Sequence, residues 1–436
     1  MFPSITKTHN PMHSLLTKIF PLFCIAILMS TSCLNADSSI AMTSTKDPAH
    51  CCHQCKNYGA FAAIFEDRTL QCWGDQAHGG KTPDLPPGRK VASIASSWQD
   101  FAAILDDGTV QYWGRQDFVP PDLRKGKKVA IASNEGGFAV IFEDGTLQDW
   151  WDYGCGGKTP DLPPGRKVVS IASNEDGFVA ILDDGTLQCW GSGFFEGEPP
   201  DLPKGKKVVS IASTELAFAA IFEDGTVQCW GHQDCGGKTP DLPKGKKVVS
   251  IASTVGSFAA IFEDGTVQCW GDQDCGGVTP DVPKGKKVVS IASTCVSFAA
   301  IFEDGTVQCW GHQDCGGKTP DLPKGKKVVS IASTWGSFAA IFEDGTVQCW
   351  GHQDFGGVTP NVPKGKKVVS IASNAAAFAA IFEDGTVQCW GDQAHGGKTP
   401  DLPQGKKVQW ITGMDVNLNL PYSSPVHAGK QRGVLH

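Results

Sequence analysis

One segment governs what this chain can fold into: Phe258-Ala-Ala-Ile-Phe-Glu-Asp-Gly-Thr-Val-Gln-Cys-Trp-Gly271 returns again and again along the sequence. Its leading phenylalanine stands at Phe61, Phe101, Phe138, Phe178, Phe218, Phe258, Phe298, Phe338 and Phe378, at a step of 40 residues except for 37 between Phe101 and Phe138. Nine units therefore fill residues 50–413 of a 436-residue chain. A period of this size marks stacked supersecondary units, none of which can bury its own apolar faces alone.

Each unit reads as strands and turns. Lys247 to Ser253 is rich in β-branched residues, Ser257 to Glu263 is a second apolar run, and Thr266 to Trp270 is a third. Asp264-Gly265 joins the last two and predicts a two-residue type I′ hairpin, in which glycine takes the positive φ. The stretch from Gly271 to Lys286, rich in Gly, Pro and Asp, reads as a returning loop. Strand side chains alternate, so Val267 and Cys269 face one way and Gln268 and Trp270 the other. A three-stranded meander with two faces to cover needs a neighbour on each side, and closing the array into a ring removes the bare ends. The fold expected is all-β: a propeller of about nine three-stranded blades.

Closure leaves its own mark. Lys407-Val-Gln-Trp-Ile-Thr412 matches the first strand of a unit but has no second or third strand behind it, so it is expected to complete the blade formed by residues 61–74. His50-Cys-Cys-His-Gln-Cys-Lys56 competes for that place in the same register, with Gln54 at the usual isoleucine position. Arg68 replaces glycine at the first hairpin, a substitution that costs roughly 1 kcal/mol in the left-handed region.

Outside the repeats, residues 1–36 read as a secretory signal: Lys7 and Lys18, no acid before them, then the short apolar run Ile19 to Met29. That run is too short for a comfortable membrane span. Cys33, after Ser30-Thr-Ser, offers a lipoprotein alternative with a lipidated N-terminus. Residues 37–49 form a linker and 414–436 an aperiodic tail. A secreted or periplasmic, monomeric protein is expected. Its net charge of -8 disfavours nucleic acid as a partner.

The Asp-Gly, aliphatic, Trp-Gly pattern, with a Gly-rich loop and Val-Val-Ser-Ile-Ala after it, resembles the regulator of chromosome condensation repeat superfamily. The compact 40-residue unit is closer in length to the propeller-type β-lactamase inhibitor proteins. That resemblance implies a propeller with a binding role, since members include inhibitors and exchange factors for small GTPases. Members have seven blades, and no wedge-like insertion of the exchange-factor kind interrupts these units.

No residue pattern supports catalysis. Glu263-Asp264 recurs at every hairpin as Glu or Asp followed by Asp, which is turn chemistry rather than a single active site. Gly236-Gly-Lys-Thr239 misses phosphate-loop spacing and precedes Pro240 instead of opening a helix. His50, Cys51, Cys52, His53 and Cys55 lack paired metal-ligand spacing. No cofactor or metal is expected. Cysteine shares its strand position with Tyr112 and Asp149 and its loop position with phenylalanine, as a small apolar plug would. Three units carry both cysteines, so local disulfides Cys229–Cys235, Cys269–Cys275 and Cys309–Cys315 are open in an oxidising compartment.

Function is sought where near-identical units differ. The hairpin between the first two strands varies, with Trp98, Glu215, Leu216, Val255, Val296 and Trp335 among its residues. The residue after Trp-Gly varies too: Arg115, His232, Asp272, His312, His352 and Asp392. Strand direction places both sets at one end of the ring, opposite the Glu-Asp-Gly tips and Pro-Lys-Gly-Lys-Lys segments. The expectation is a non-enzymatic protein that binds a protein partner through these loops, with Trp98 and Trp335 as exposed anchors. The alternatives are a structural or display array without a ligand and a regulator of a small GTPase.

Overall fold

Each unit folds back on itself twice because its Gly-containing turns fall between runs of β-branched and aromatic residues. A computed structural model describes residues 57–115, 123–134, 136–151, 159–175, 177–191 and 201–413. The proposed leader, the linker, the His50–Lys56 run and the tail lie outside the described residues.

In the unit around Phe258, strands Val248–Ser253, Ser257–Phe262 and Val267–Gly271 pair antiparallel in chain order. Nine such three-stranded sheets are present among the described residues. The first strand bulges between Val248 and Ser250. The hairpin turn differs from expectation. Phe262 N–H donates to Thr266 O and Gly265 N–H to Phe262 O, with a positive φ at Gly265 alone. This is a three-residue loop with glycine in the left-handed position, not a type I′ turn. Asp264 selects it, because its Oδ1 accepts both the N–H and the hydroxyl of Thr266, at 3.0 and 2.6 Å. Arg68, at φ 63°, is the one non-glycine residue with positive φ among the described residues.

The alternating faces pack as the pattern dictates. Ala259, Ile261, Val267 and Cys269 meet Val288, Ile291, Phe298 and Trp310 of the following blade, while Phe258, Phe262 and Trp270 meet Val227 and Cys229 of the preceding one. Every blade boundary has such an apolar cluster, including that between the last blade and the first. A polar joint fixes the spacing. Trp270 Nε1 donates to Gly236 O of the preceding blade at 3.1 Å, and Phe258 lies so close to Gly236 that an added Cβ would sit 2.7 Å from its ring. Glycine is therefore required there by space as well as by its φ of +90°.

The ring closes as the sequence implies. Val408–Thr412 pairs with Ala60–Phe65, which in turn pairs with Leu70–Gly74. The C-terminal strand thus takes the place of the first blade's missing first strand. First strands lie against first strands of adjacent blades and form the inner wall. Outer edges are blunted: Thr279 Oγ1 accepts from Cys269 N–H at 2.8 Å, so the Thr-Pro loop occupies the free ladder.

Candidate functional site

The third strand of each blade delivers its outer loop to the same end as the hairpin linking strands one and two. Asp272 N–H donates to Gly256 O at 2.8 Å, and His232, His312, His352 and Asp392 make the equivalent bond in their blades. This end is here called the tip, and the Glu-Asp-Gly end the base. At the tip, the hairpins are inner and the loops outer.

The inner hairpins are stitched to one another. Glu215 N–H donates to Val255 O, Val255 to Cys295, Cys295 to Trp335, Trp335 to Ala375 and Ala375 to Asn57, over distances of 2.9 to 3.2 Å. Tyr58 N–H donates onward to Trp98 O at 2.9 Å. In six blades a Thr or Asn one residue earlier ties the hairpin to its loop: Thr254 Oγ1 donates to Cys275 O at 2.9 Å, as Thr214, Thr294 and Thr334 do in theirs, and Asn57 and Asn374 amides donate to His78 O and His395 O. Below them, serine hydroxyls bridge blades, with Ser173 donating to Ser133 O and Ser213 to Ser173 O. The tip is a braced rim.

Its centre is apolar. Cys275, Cys295, Val296, Cys315, Trp335 and Ala375 form one buried cluster, with Tyr58, Val255 and Phe355 packed on it. Tyr58 makes ring contacts with His78, Trp98, Trp335 and His395 at centroid distances of 4.8 to 6.3 Å.

This geometry corrects several expectations. Trp335 is 4% exposed and Val296 8%, so neither is a free anchor: the inner hairpins converge and bury them against each other. Trp98, Glu215, Leu216 and Val255 remain half-buried, and His232 and His312 are exposed. Arg115 is committed within its own blade. Its Nη2 lies 2.8 Å from Oδ2 of Asp100, a carboxylate 2% exposed, and its backbone N–H meets Oδ1. Asp272 and Asp392 cap the loops that follow, accepting from Asp274 N–H and Ala394 N–H at 2.8 Å. Asp392 also approaches His395 at 3.2 Å, and His352 makes a tilted ring contact with Phe355 at 5.1 Å.

The three disulfides are not formed. Cys229, Cys235, Cys269 and Cys309 are free thiols. Strand alternation aims Cys269 and Cys309 into the walls between blades, whereas Cys275 and Cys315 belong to the axial cluster. Burial pushes the Cys269, Cys309 and Cys349 thiols up to about 12, so they stay protonated and poor as nucleophiles. Among the described residues, no group of three His, Cys, Asp or Glu side chains is placed to hold a metal ion.

Tyr58 and Phe355 were missed as site residues. Tyr58 stands three residues before Phe61, as Val255 stands before Phe258, so the degraded first unit hid a hairpin that its register places with the others.

The base repeats one ion pair, with Arg89, Arg124 and Arg166 in place of lysine in three blades. Lys246 pairs with Asp264 at 2.8 Å, and the same pair recurs as Lys206–Asp224, Lys286–Asp304, Lys326–Asp344, Lys366–Asp384 and Lys406–Asp67. The Lys246 ammonium and then the Thr266 hydroxyl hold the Asp264 carboxyl far below its ordinary range.

The fold defined here is a β-propeller of nine blades, with an axial plug at its tip. Among solved structures, the chain is similar to the CRINKLY WD40 ectodomain of the Arabidopsis thaliana receptor kinase ACR4, with 20% identity, a TM-score of 0.41, and coverage of 64% of this chain and 99% of that one. It is similar to Prp20p, the RCC1 of Saccharomyces cerevisiae, with 18% identity, a TM-score of 0.43, and coverage of 72% and 89%. Human WBSCR16 is similar with 16% identity, a TM-score of 0.42, and coverage of 79% of this chain and 92% of that one. No protein-family model matches the chain, and no curated protein matches it.

Proposed function

We propose that this is a non-enzymatic, exported propeller that binds a protein partner across its tip. The observation that carries the reading is the unlikeness of the two ends. At the base, one lysine of each of these blades meets its own blade's aspartate, and the surface is filled by a repeated local solution. At the tip, Tyr58, Trp98, Leu216, Val255 and Phe355 stay half-exposed around a plug held by backbone hydrogen bonds. Aromatic and aliphatic side chains on a rigid, braced rim lose little freedom on association, which is what a protein-binding hot spot requires.

The set that meets a partner is accordingly Trp98, Leu216 and Val255 with the outer His232 and His312, while Trp335 and Val296 support it from beneath. The test is affinity capture with the mature protein, read by mass spectrometry, beside a Trp98→Ala/Leu216→Ser variant and a Lys246→Ala/Lys326→Ala variant. A partner retained by the base variant and lost by the tip variant is the expected result. A partner retained equally by both moves the interface off the tip.

A further inference from the structure

The outer loops at the tip carry a row of exposed carboxylates, of which Asp354 lies 3.9 Å from His352 Nδ1. Asp234, Asp274, Asp314 and Asp354 occupy one equivalent position in four consecutive blades, and all four are exposed. Ala77 and Ala394 hold that same position in the first and last blades and form the same short helical turn. The turn therefore closes without an acid. Asp272 adds negative charge to the same arc. Lysine is replaced by Val278 and Val358 in two of these blades, which leaves their carboxylates less offset.

The arc has depth. A cleft of about 730 Å³ opens between the loops of two adjacent blades, with Asp314, Asp321 and Asp354 beside Lys318, His352 and Gln353 on its walls. Inward of the arc lie the half-exposed Leu216 and Val255, with Trp98 and Tyr58 across the axis. At the base, by contrast, the hairpin aspartates Asp224, Asp264, Asp304, Asp344 and Asp384 each meet a lysine of their own blade. An apolar centre edged by a row of exposed carboxylates is complementary to one chemistry: apolar side chains flanked by cations.

From this arrangement we infer that the partner presents a Lys- and Arg-rich protein segment, whose cations reach the arc and its cleft while an apolar side chain rests on Leu216, Val255 and Trp98. The inference rests on the tip reading above and names the partner's class. Arginine suits the cleft, because its planar fork can bridge two carboxylates while its alkyl stem covers apolar surface.

The probe is a fluorescein-labelled peptide with a central Phe and Leu flanked by Lys and Arg, titrated with the full chain and followed by anisotropy. A peptide with Glu at the flanking positions serves as its mirror. The basic peptide is expected to bind, to weaken as salt rises, and to lose roughly tenfold in affinity with Asp234→Ala/Asp274→Ala/Asp314→Ala/Asp354→Ala. A base variant, Glu263→Ala/Glu303→Ala/Glu343→Ala/Glu383→Ala, removes the same charge from exposed base positions and should leave affinity within about twofold.

Equal weakening by the base variant would reduce the effect to net charge and overturn the inference. Binding of the Glu peptide that is lost in Trp98→Ala/Leu216→Ser would keep the tip as the interface and discard a basic partner. Binding of the basic peptide that ignores every tip variant would discard both. A synthetic peptide of residues 414–436, which include Lys430 and Arg432, displacing the probe at lower concentration than the unlabelled basic peptide would assign the surface to the chain's own tail instead.

Discussion

The two ends of the ring are written in the same repeat, yet the base copies one arrangement from blade to blade and the tip does not. A base hairpin solves a problem internal to its blade: Lys326 meets Asp344, and Thr346 Oγ1 and N–H meet the same aspartate at 2.6 and 3.0 Å. Such a unit can be copied without limit. The inner tip hairpins share one axis, where equal side chains would compete for one volume. Val255, Cys295, Trp335 and Ala375 are successive members of the hydrogen-bonded chain and differ widely in size. Close packing tolerates neither a gap nor an overlap, so one large residue among small ones fills the centre where identical residues could not. Variation at the inner tip is thus a packing solution, and only residues left at the surface are free to serve a partner.

The sharpest way to break this comparison is to truncate one side chain at each end of a single blade. Trp335→Ala removes a buried indole from the axial cluster and should cost about 3–5 kcal/mol. Lys326→Ala, at the base of the same blade, removes an exposed ion pair that contributes no more than about 1 kcal/mol. Denaturant unfolding of both variants checks the difference. Comparable losses would mean that the axial cluster does not hold the tip together.

How much of this was legible follows the same division. The strands, the two faces of each blade and the closing role of Val408–Thr412 were readable, because each depends on periodicity or on a partial unit at the chain's end. The pairing of Trp335 with its neighbours was not. Period and alternation say which side of a strand a residue faces, but not which strand lies innermost, and a hairpin residue looks exposed until its distance from the axis is known. The base turn was misread for a local reason: Asp-Gly fits two loop types, and the Thr266 hydrogen bonds to Asp264 decide between them. Arg115 stood out as a charged variant, but its partner Asp100 lies 15 residues away across a hairpin whose geometry spacing alone does not give.

That pair sharpens the comparison at a second level, because it is a tip exception of structural origin. Asp100 stands where Ser257, Ser297 and Ser337 stand in other blades, so a buried carboxylate and its guanidinium replace a small hydroxyl. Arg115→Ala should cost about 2–3 kcal/mol, less than a fully buried pair because Arg115 reaches solvent. Asp100→Ser in the same chain should recover most of that loss, as the uncompensated charge goes with it. Additive losses in the double variant, measured by denaturant unfolding, would show that the two side chains act independently.

The smallest effect lies at the base and concerns what holds its carboxylates ionised. The Asp304 carboxyl is held at about 2, first by the Thr306 hydroxyl, then by the Thr306 N–H and the Lys286 ammonium, against an ordinary value near 3.9. A carboxylate depressed in the folded state adds stability that is present above about pH 4 and lost as pH falls through about 2. The base hairpins should therefore outlast ordinary carboxylates on acidification. Carbon-detected NMR titration of the aspartate side chains reads this directly. Lys286→Ala should raise the Asp304 midpoint only part of the way, because the Thr306 contacts remain, and Thr306→Ala should raise it further. The opposite order would make Asp304 a lysine–aspartate pair first and a turn second, the order that holds at Asp264, where the Lys246 ammonium comes before the Thr266 hydroxyl. The base could then be rewritten by swapping charges, whereas a turn held mainly by its own threonine keeps its shape whichever cation lies above it.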